Sequence, residues 1–461
     1  MTSTTTGDDE RLTSDAPAID VSIQQPTRPL RTTATSDLSE QIPLRDSLLV
    51  AVTAGLGYGF DAYAVNIYGL VLPLIAVSFA VDLTTLGFIG SIFLVGYMVG
   101  TIGFGIAADR WGRKDTLGVS ILLYGATTSL GGLTANIPLF AALRFLTGVG
   151  GAGELAVGAP YTCEMFPPRY RAIGVGGIMF SLFSFGYILA GLAALYIAPR
   201  FGWQWTFIIA IVPAIGVFAM RRLVQESVRY AIQKADEKIR AAQQLEQSLS
   251  PGSPDRIWRI PVVRKRIGIG WLLYTANAAG YWGLSVFLTT FMVKKFGVSP
   301  ATAIGYAISF YVAQFFFSYL GTGLSDWRGR RPAGMAGAVL MIATTIVATT
   351  VSSLGLFLVF GALMMALLGW LWGVGDTYIS ELFPTRIRGT GFGLAVGGGR
   401  FAAIFAPLLV GAGITAFGPT IPFLASAGLW LLTIIGYLLG PETSRKSIEQ
   451  IEAEFEAQSK N

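Results

Sequence analysis

Long apolar runs alternate with short polar or charged stretches along most of the chain. Each run has about 20 residues, which as a helix is long enough to cross the ~30 Å hydrocarbon core of a bilayer. The pattern predicts an all-α membrane protein with twelve membrane-spanning helices, numbered here as spans 1 to 12. In order they cover 47–78, 85–107, 116–135, 138–162, 172–197, 205–223, 266–292, 300–324, 333–351, 356–380, 389–416 and 420–440.

Two loop sequences each occur twice at one spacing. The sequence Asp-Arg-Trp-Gly-Arg-Lys at Asp109 returns as Asp-Trp-Arg-Gly-Arg-Arg at Asp326, 217 residues later (326 − 109). A second pair begins at Glu164 and Glu381, and its offset is again 217 (381 − 164). This shared offset predicts a duplicated unit, with the chain folded as two pseudo-symmetric six-helix bundles. Duplicated membrane halves are typical of transporters that bind their substrate between the halves.

The segments outside the spans differ in composition from the bundles. Residues 1–44 are rich in Thr, Ser, Asp and Pro without an apolar run, which predicts a disordered tail and not a signal peptide. Near the end of the chain, Ile448, Ile451 and Phe455 have the spacing of a short amphipathic helix. The predicted organisation is a tail at 1–44, bundles at 45–223 and 263–440, a central loop at 224–262 and a tail at 441–461.

The positions of the basic residues indicate the topology of the chain in the membrane. Hydrophobic residues make up 53% and charged residues 13% of the chain, with a net charge of +6. All but five of the 33 Lys and Arg residues lie in the tails or at the loops that follow even-numbered spans. The positive-inside rule therefore places both termini and the central loop in the cytoplasm, at the inner membrane of a cell. The net positive charge is thus explained by topology, and we expect no nucleic-acid partner. We expect a monomer surrounded by membrane lipid. The five exceptions are Arg144, Arg200, Lys294, Lys295 and Arg400.

The residue types that are scarce narrow the possible chemistry. Cys163 is the single cysteine, so the chain cannot form an internal disulfide. Because the chain has no histidine, any proton transfer must use a carboxylate. No phosphate-binding loop, metal-ligand cluster or nucleophile constellation indicates an enzyme. We expect no cofactor and no metal, with the proton as the coupling ion.

Opposite charges flank the same loops in both halves. At the cytoplasmic ends of neighbouring spans, such charges can pair and hold the two halves together until transport opens that side. A permanent brace of helix ends would use the same residues, so a cytoplasmic gate and a static brace are both possible. The eight residues are Asp109, Arg113, Glu164, Arg171, Asp326, Arg330, Glu381 and Arg388.

Several ionisable residues fall inside spans, where they are costly and usually functional. Asp61 lies about 11 residues into span 1 and Arg400 about 11 residues into span 11, so both are close to the membrane midplane. Arg144 enters span 4 from outside, and Glu154 lies further along that span on a different face. Asp376 is expected near the inner interface, as a gate or a solvated residue.

Asp61 and Arg144 are predicted to interact, and Glu154 is a further candidate for proton coupling. Burial favours the neutral form of Asp61 and a nearby guanidinium favours the charged form, so its proton can bind and leave as access changes. A permanent structural ion pair is the alternative. Arg144 is specific to the first half, because the equivalent position is Gly361 (144 + 217).

Arg400 is the predicted anchor of an anionic substrate. A midplane guanidinium without an acidic partner in its own span suits a carboxylate bound by two hydrogen bonds. It is specific to the second half, since its equivalent is Phe183 (400 − 217). The alternative is an internal pair with Asp61 or Glu154. A flat aromatic acid would stack on side chains of spans 7, 8 and 10. The candidates are Tyr274, Asn277, Tyr281, Trp282, Tyr311, Gln314, Trp370 and Trp372.

On these motifs the chain resembles a twelve-span carrier of the major facilitator superfamily over about residues 45–445. The sequence Gly-x-x-x-Asp-Arg-x-Gly-Arg-Lys at 105–114 is highly specific. The second copy has Thr322 in place of Gly105, which is expected to loosen the packing there. Further stretches resemble sugar porters and their organic-ion relatives, namely Glu164-x6-Arg171, Glu381-x6-Arg388, Gln225-Glu-Ser-Val-Arg229 and Pro441-Glu-Thr443.

Other stretches resemble the aromatic acid–proton symporters and organic anion carriers. They are Gly57-Tyr-Gly-Phe-Asp61 on span 1, Gly151-Ala-Gly-Glu154-Leu on span 4 and Phe383 to Arg400 on span 11. The sequence Arg144-x-x-x-Gly-x-Gly resembles the motif that proton-coupled sugar porters place beside a carboxylate of span 1. This last resemblance implies a proton role for Asp61 and Arg144, and the resemblance to organic anion carriers implies an anionic substrate. The acid symporters usually carry an earlier acidic residue in span 1, and here that position is uncharged.

The sequence thus predicts a secondary active transporter that takes up a small organic anion with protons by alternating access. An aromatic or other monocarboxylic acid is the expected substrate. A sugar or polyol symporter is one alternative, although span 7 lacks the paired glutamines that such carriers present to hydroxyl groups. An exporter that works by proton antiport would use the same parts. A membrane sensor that does not transport is a remote alternative.

Overall fold

The computed structural model describes residues 42–81, 83–244, 260–285 and 287–459. These residues belong to the unit Ser36–Asn461, and a second unit, Met1–Thr35, lies outside the described residues. The predicted tail is therefore outside the described residues up to position 41, as are residues 245–259 of the predicted central loop. The described residues contain helices and no strand, as expected for an all-α membrane protein.

The first half contains six long helices, and several of them change geometry or break within their length. Helix 1 breaks near Pro73 and helix 6 breaks before Pro213, and proline cannot donate a backbone hydrogen bond within a helix. Helix 5 begins with a π-helical turn. The helices are Leu44–Leu70 with Leu72–Phe79 (helix 1), Leu83–Trp111 (helix 2), Arg113–Leu133 (helix 3), Ile137–Met165 (helix 4), Ile173–Met179 with Phe180–Tyr196 (helix 5) and Trp203–Ile208 with Ile211–Arg222 (helix 6).

The second half repeats the first at the offset read from the sequence. Helices 2, 3 and 4 start at positions 83, 113 and 137, and helices 8, 9 and 10 start 217 residues later, at 300, 330 and 354. The helices are Pro261–Leu284 with Leu288–Phe296 (helix 7), Pro300–Arg328 (helix 8), Arg330–Thr350 (helix 9), Leu354–Glu381 (helix 10), Arg388–Phe417 (helix 11) and Thr420–Ser426 with Trp430–Leu439 (helix 12).

Eleven helices of the described residues are long and apolar enough to cross a membrane, against twelve predicted spans. The exception is helix 7, whose segment Pro261–Leu284 has 24 residues and is long enough to cross. It is less apolar because Tyr274, Asn277 and Tyr281 lie on it, and all three are buried inside the protein. A helix that faces its neighbours with polar groups does not need to be apolar along its whole length.

The two halves touch along symmetry-related helix pairs, helix 2 with helix 11 and helix 8 with helix 5. Glycine permits the closest approach. A Cβ atom on Gly105 would lie 2.4 Å from the carbonyl oxygen of Gly389, and one on Gly176 would lie 2.3 Å from that of Gly373. Thr322 is fully buried and its methyl group lies beside Gly373 on helix 10 of the same half, and the looser packing expected between helices 8 and 5 stays a prediction.

One end of the two bundles carries the repeated loops, and we call it the basic face. Gly112 and Gly329 make the tight turns there with φ of 102° and 114°, a region that favours glycine. The linker helix Val228–Gln244 and the C-terminal helix Ile448–Ser459 also lie at this face. Within the C-terminal helix, Ile448, Ile451 and Phe455 are buried, which confirms the amphipathic pattern.

Candidate functional site

Arg400 lies inside the protein, at the boundary between the halves. It is 7% exposed, and its Nη2 donates a hydrogen bond of 2.5 Å to the hydroxyl of Tyr274 on helix 7. Its guanidinium carbon lies 3.8 Å from the ring centroid of Tyr97 on helix 2 and 5.1 Å from that of Tyr274. Among the described residues, no carboxylate lies within ion-pair distance of Arg400, and its Nε has no hydrogen-bond partner. The predicted alternative, an internal ion pair with Asp61 or Glu154, is therefore wrong for this structure.

Asp61 is fully buried on helix 1, and Tyr97 connects it to Arg400. The Tyr97 hydroxyl donates a hydrogen bond of 2.6 Å to Asp61 Oδ2, while the Tyr97 ring contacts the guanidinium. The other carboxylate oxygen, Oδ1, has no hydrogen-bond partner. It lies against Gly151, where an added Cβ would come within 1.9 Å of it. One neutral side chain thus links a buried acid of the first half to a buried base of the second.

The predicted pair of Asp61 and Arg144 is wrong for this structure. Arg144 Nη1 instead donates a hydrogen bond of 3.1 Å to the carbonyl oxygen of Ala64. Its guanidinium carbon lies 4.6 Å from the ring centroid of Tyr68 and 4.4 Å from that of Phe93. A carbonyl oxygen and two aromatic rings of the first half therefore contact this guanidinium. The position of Arg144 along its helix predicted its depth in the membrane but not the direction of its side chain.

Glu154 has a partner of its own. It forms a buried ion pair with Arg221 on helix 6 and accepts a hydrogen bond of 3.1 Å from Ser120 on helix 3. The pair presses against Gly57 on helix 1, where a Cβ would meet both side chains. Glu154 is thus compensated inside the first bundle, and its role in proton coupling stays a prediction.

Asp376 is not solvated as expected, while its place near the inner interface and its role as a gate stay predictions. It is 2% exposed on helix 10, and its Oδ1 has no hydrogen-bond partner. Each half thus holds a buried carboxylate whose Oδ1 has no hydrogen-bond partner, Asp61 on helix 1 and Asp376 on helix 10.

Aromatic rings from the two halves meet in the middle of the protein. Phe180 stacks on Trp372 with ring centroids 5.7 Å apart, and Phe183 meets Tyr281 edge-on at 5.9 Å. A third pair, Tyr187 and Tyr311, stacks at 3.5 Å. Trp372 also contacts Tyr274 and Tyr281 edge-on, which connects the rings to Arg400. A flat ring bound here can replace contacts that the halves make with each other.

The predicted polar and aromatic lining residues differ in the contacts that their side chains make. Asn277 Oδ1 and both side-chain polar atoms of Gln314 are buried without hydrogen-bond partners, and Tyr281 accepts a hydrogen bond of 3.3 Å from Tyr311. Trp282 meets the ring of Tyr281 at 5.8 Å and packs against the first half.

Trp370 points away from this group. Its Nε1 donates a hydrogen bond of 3.1 Å to the carbonyl oxygen of Ala333 on helix 9, and its ring fills the space beside Gly321. It is a packing residue of the second bundle, so its predicted place at the substrate is wrong. Trp372, two residues later, lies in the central ring group instead.

At the basic face, each repeated aspartate caps a helix of the opposite half. Asp109 accepts hydrogen bonds from the backbone N–H groups of Gly389 and Thr390, at 3.1 and 2.6 Å. These residues open helix 11, where N–H groups lack partners within the helix and negative charge is favourable.

Asp326 makes the symmetry-related contact with helix 5. It accepts hydrogen bonds from the backbone N–H groups of Ala172 and Ile173, at 3.1 and 3.0 Å. The donors correspond by the same offset, since 172 + 217 = 389 and 173 + 217 = 390. Each half therefore holds the other by a carboxylate at a helix N-terminus.

The repeated glutamates tie arginines of both halves together. Glu164 lies 3.0 Å from Arg113 of its own half and 2.9 Å from Arg388 of the other. Glu381 repeats this with Arg330 at 2.9 Å and Arg171 at 3.3 Å. The arginines Arg113 and Arg330 also pair with Asp109 and Asp326, at 3.2 and 2.6 Å. All eight predicted gate residues thus take part in two clusters that cross between the halves.

A second pair of glutamates holds the turns. Glu226 accepts hydrogen bonds from the backbone of Arg113 and Lys114, and Glu442 from that of Arg330 and Arg331. The next residues, Ser227 and Thr443, bond to Glu164 and Glu381. The sequence contained a signal for them, because both stretches resemble the ends of the two halves in sugar porters and their relatives.

The duplicated helices, the buried central charges and the crossed clusters all agree with the comparison to protein families. The model described as Major Facilitator Superfamily matches residues 54–305 and 270–459. The chain belongs to the major facilitator superfamily. It is accordingly a multi-pass membrane transporter and not an enzyme.

Similar members of this superfamily have named substrates. The chain is 29% identical to the niacin transporter NiaP of Acinetobacter baylyi, over 86% of this chain and 94% of that protein. It is 27% identical to the benzoate transport protein of the same organism, over 76% and 80%. The structure of the proton:xylose symporter XylE matches with a TM-score of 0.75 and 20% identity, over 89% of this chain and 99% of that one. At that identity, the structural match shows the fold alone.

Proposed function

We propose that this major facilitator carrier takes up a small organic anion, an aromatic or other monocarboxylic acid, together with protons. The observation that carries the proposal is Arg400, a buried guanidinium between the halves with no carboxylate within ion-pair distance among the described residues. Burying such a charge is costly unless it is compensated, and a substrate carboxylate is the natural partner. The substrates named for two relatives, the niacin transporter and the benzoate transport protein, support the same substrate class.

The surroundings of Arg400 suit a flat acid. A carboxylate can accept hydrogen bonds from the guanidinium, including its unpartnered Nε, while rings such as Trp372 and Tyr281 stack on the body of the substrate. The unpartnered Oδ1 of Asn277 and the unpartnered amide of Gln314 can bind a further polar group. A sugar offers no carboxylate for Arg400, so the sugar alternative leaves this charge unexplained.

Asp61 is the proposed proton-binding group. In the state open to the outside it takes up a proton, and the substrate binds at Arg400. Tyr97 contacts both Asp61 and Arg400, so a movement of one of these side chains displaces Tyr97 and thereby acts on the other. The neutralised centre can then close, because burial penalises net charge.

The crossed clusters at the basic face are the proposed gate. In this structure they join the two halves at that face, which we assign to the cytoplasm on the positive-inside rule, with both termini on the same side. Release of the substrate requires the contacts of Asp109 and Asp326 to break, as in domain motions that alternate between two packed states.

The anion site is tested by replacing Arg400. We expect Arg400→Ala to abolish uptake of radiolabelled nicotinate and benzoate in cells expressing the protein, and Arg400→Lys to restore little of it, because lysine lacks the two-point geometry. Arg386→Ala is the matched control, since Arg386 is an exposed arginine at the basic face. Unlabelled xylose serves as competitor for the sugar alternative.

Some outcomes contradict the proposal. Retained affinity for both acids in Arg400→Ala would remove the anion site. Competition by xylose but not by carboxylic acids would favour a sugar carrier. Accumulation that ignores external pH and a protonophore would remove proton coupling, and efflux from loaded cells would indicate export.

A further inference from the structure

We propose that a groove between helices 3 and 6, at the basic face, binds an anionic phospholipid whose phosphate lies at Lys114 and Arg222. The groove has a volume of about 310 Å³. Its lining residues all belong to helices 3 and 6, so it is separate from the site around Arg400. The inference goes beyond the proposed function, because this ligand is held by the carrier and is not transported.

Helices 3 and 6 lie on the outside of the first bundle. Helix 3 packs on helix 4 and on helix 6 of its own half. Large apolar side chains on the two helices are exposed, among them Val119 at 60%, Val212 at 69% and Ile215 at 54%. On a membrane carrier, an exposed apolar surface of this kind faces lipid. Since Val119 itself lines the groove, the groove opens toward the lipid.

The groove has a charged end and an apolar part. Helix 3 begins at Arg113 and helix 6 ends at Arg222, so the charged end lies at the basic face. Lys114 and Arg222 line this end, whereas Phe218 and Leu122 line the groove about one and two helical turns further along. A phospholipid presents its phosphate and its acyl chain in the same order. Basic pockets between membrane helices on the cytoplasmic side are typical sites for anionic lipid headgroups.

The two cations of the groove have no acidic partner. Lys114 Nζ donates a hydrogen bond of 3.1 Å to the carbonyl oxygen of Arg222. The guanidinium carbon of Arg222 lies 4.8 Å from the ring centroid of Phe218. Among the described residues, no carboxylate lies within ion-pair distance of either side chain. Arg221 also lines the groove, but its charge is compensated by the buried ion pair with Glu154. A phosphate can accept charge-assisted hydrogen bonds from both free cations.

Two carboxylates lie near the charged end. Asp115 is exposed and is the one carboxylate among the lining residues. Glu226 lies beyond the lining and accepts hydrogen bonds from the backbone N–H groups of Arg113 and Lys114, where the start of helix 3 compensates its charge. Within the groove, two cations therefore face one carboxylate. This balance favours a lipid with a net negative charge, such as phosphatidylglycerol, over a lipid whose headgroup also carries an ammonium.

The second half does not repeat this pair of cations. Lys114 corresponds to Arg331 (114 + 217), but Arg222 corresponds to Leu439 (222 + 217). Arg331 donates hydrogen bonds of 2.7 and 3.2 Å to two carbonyl oxygens of helix 12. The pair is thus specific to the first half, and the matching end of the second half provides a control.

Lipid binding to the purified protein tests the proposal without any transport assay. The full chain is stripped of lipid in detergent and titrated with phosphatidylglycerol, phosphatidylethanolamine or phosphatidylcholine, and native mass spectrometry counts the bound lipids. We expect one phosphatidylglycerol to bind at least tenfold more tightly than either of the other lipids. Inorganic phosphate at millimolar concentration should not displace it, because the acyl chain in the apolar part of the groove also contributes to binding.

Variants locate the lipid at the groove. In Lys114→Gln/Arg222→Gln we expect the tight binding to weaken roughly 30-fold, equivalent to about 2 kcal/mol for two basic residues. Lys114→Arg/Arg222→Lys keeps both charges and should keep the binding. The control is Arg328→Gln/Arg331→Gln, which removes two charges from the basic face in the second half. Thermal unfolding without lipid checks that each variant is folded.

Several results would overturn the lipid site. Equal affinity for the three lipids would remove the anionic class, and displacement by inorganic phosphate would reduce the groove to a simple anion site. Undiminished binding in Lys114→Gln/Arg222→Gln would place the lipid elsewhere. An equal loss in the control double variant would show a general effect of surface charge. None of these results depends on the substrate, so the proposed function stands or fails separately.

Discussion

At the residue scale, the centre depends on Tyr97, a side chain without charge. Its hydroxyl donates to Asp61 and its ring faces Arg400, so it holds an acid and a base that do not form an ion pair. A hydrogen bond donated to a carboxylate favours the ionised form. Tyr97 therefore sets how readily Asp61 gives up its proton after the substrate is released.

Tyr97→Phe tests this role because it removes the hydroxyl and keeps the ring. Asp61 should then hold its proton more tightly, and the falling limb of uptake should move to higher external pH by about one unit, equivalent to about 1.4 kcal/mol. Initial uptake rates at a series of external pH values measure the shift. Tyr63→Phe is the control, because Tyr63 lies on the same helix as Asp61 and the change removes a buried hydrogen bond to the carbonyl oxygen of Thr206 on helix 6. An identical profile for Tyr97→Phe and the unchanged protein would contradict the assignment.

The sequence identified the charged residues of the site better than its neutral ones. Asp61 and Arg400 were predicted because charge is rare in a membrane span and needs a reason. Tyr97 was not predicted, because aromatic residues are common in spans and most serve packing. The Asp61–Arg144 pair failed for another reason: spacing along a helix gives depth, but direction depends on how neighbouring helices pack.

At the scale of helices, close contact between the halves depends on glycine residues, which have no side chain to hold the backbones apart. Gly105 on helix 2 lies against the backbone of Gly389 on helix 11, so any Cβ there must push two helices of opposite halves apart. The sequence predicted the helices and their repeat closely. It did not predict the break in helix 12 or the π-helical turn of helix 5, because these depend on packing.

Gly105→Ala should therefore weaken closure of the basic face. Overpacking typically costs about 1–3 kcal/mol, which corresponds to a shift of roughly 5- to 150-fold in the closed–open equilibrium. We expect slower uptake and faster alkylation of Cys163, the single cysteine, which is buried beside Arg171. Gly103→Ala is the control on the same helix, since a Cβ there meets open space. Equal alkylation in the two variants would contradict a closing role for the Gly105 contact.

At the scale of the whole molecule, the two caps by Asp109 and Asp326 are related by the pseudo-symmetry. Each one joins the end of a helix of one half to the start of a helix of the other, so neither half can move away until both caps break. The repeated motif in the sequence predicted which residues meet at this face. Their partners across the boundary required the structure, because no motif shows which helix N-terminus a carboxylate caps.

Loss of both caps should open the basic face more than the two single losses added together. We expect Asp109→Asn and Asp326→Asn each to raise Cys163 alkylation modestly, and the double variant to raise it in excess of their sum, because one cap still holds the halves in each single variant. Asp115→Asn replaces an exposed carboxylate of the same face and serves as control. A double variant that reacts no faster than the single ones would reduce the clusters to static braces.

Asp61 and Arg400 have no counterparts in the opposite half, since their equivalent positions hold Ala278 (61 + 217) and Phe183 (400 − 217). The duplication thus repeats the helical architecture in both halves, whereas the proposed proton-binding residue and the proposed anion-binding residue each occur in one half only. An artificial chain built from two second halves would present two guanidinium groups and no Asp61. Such a chain would bind acids but would lack the proposed proton-binding group that promotes their release. Transport therefore depends on different residues in the two halves.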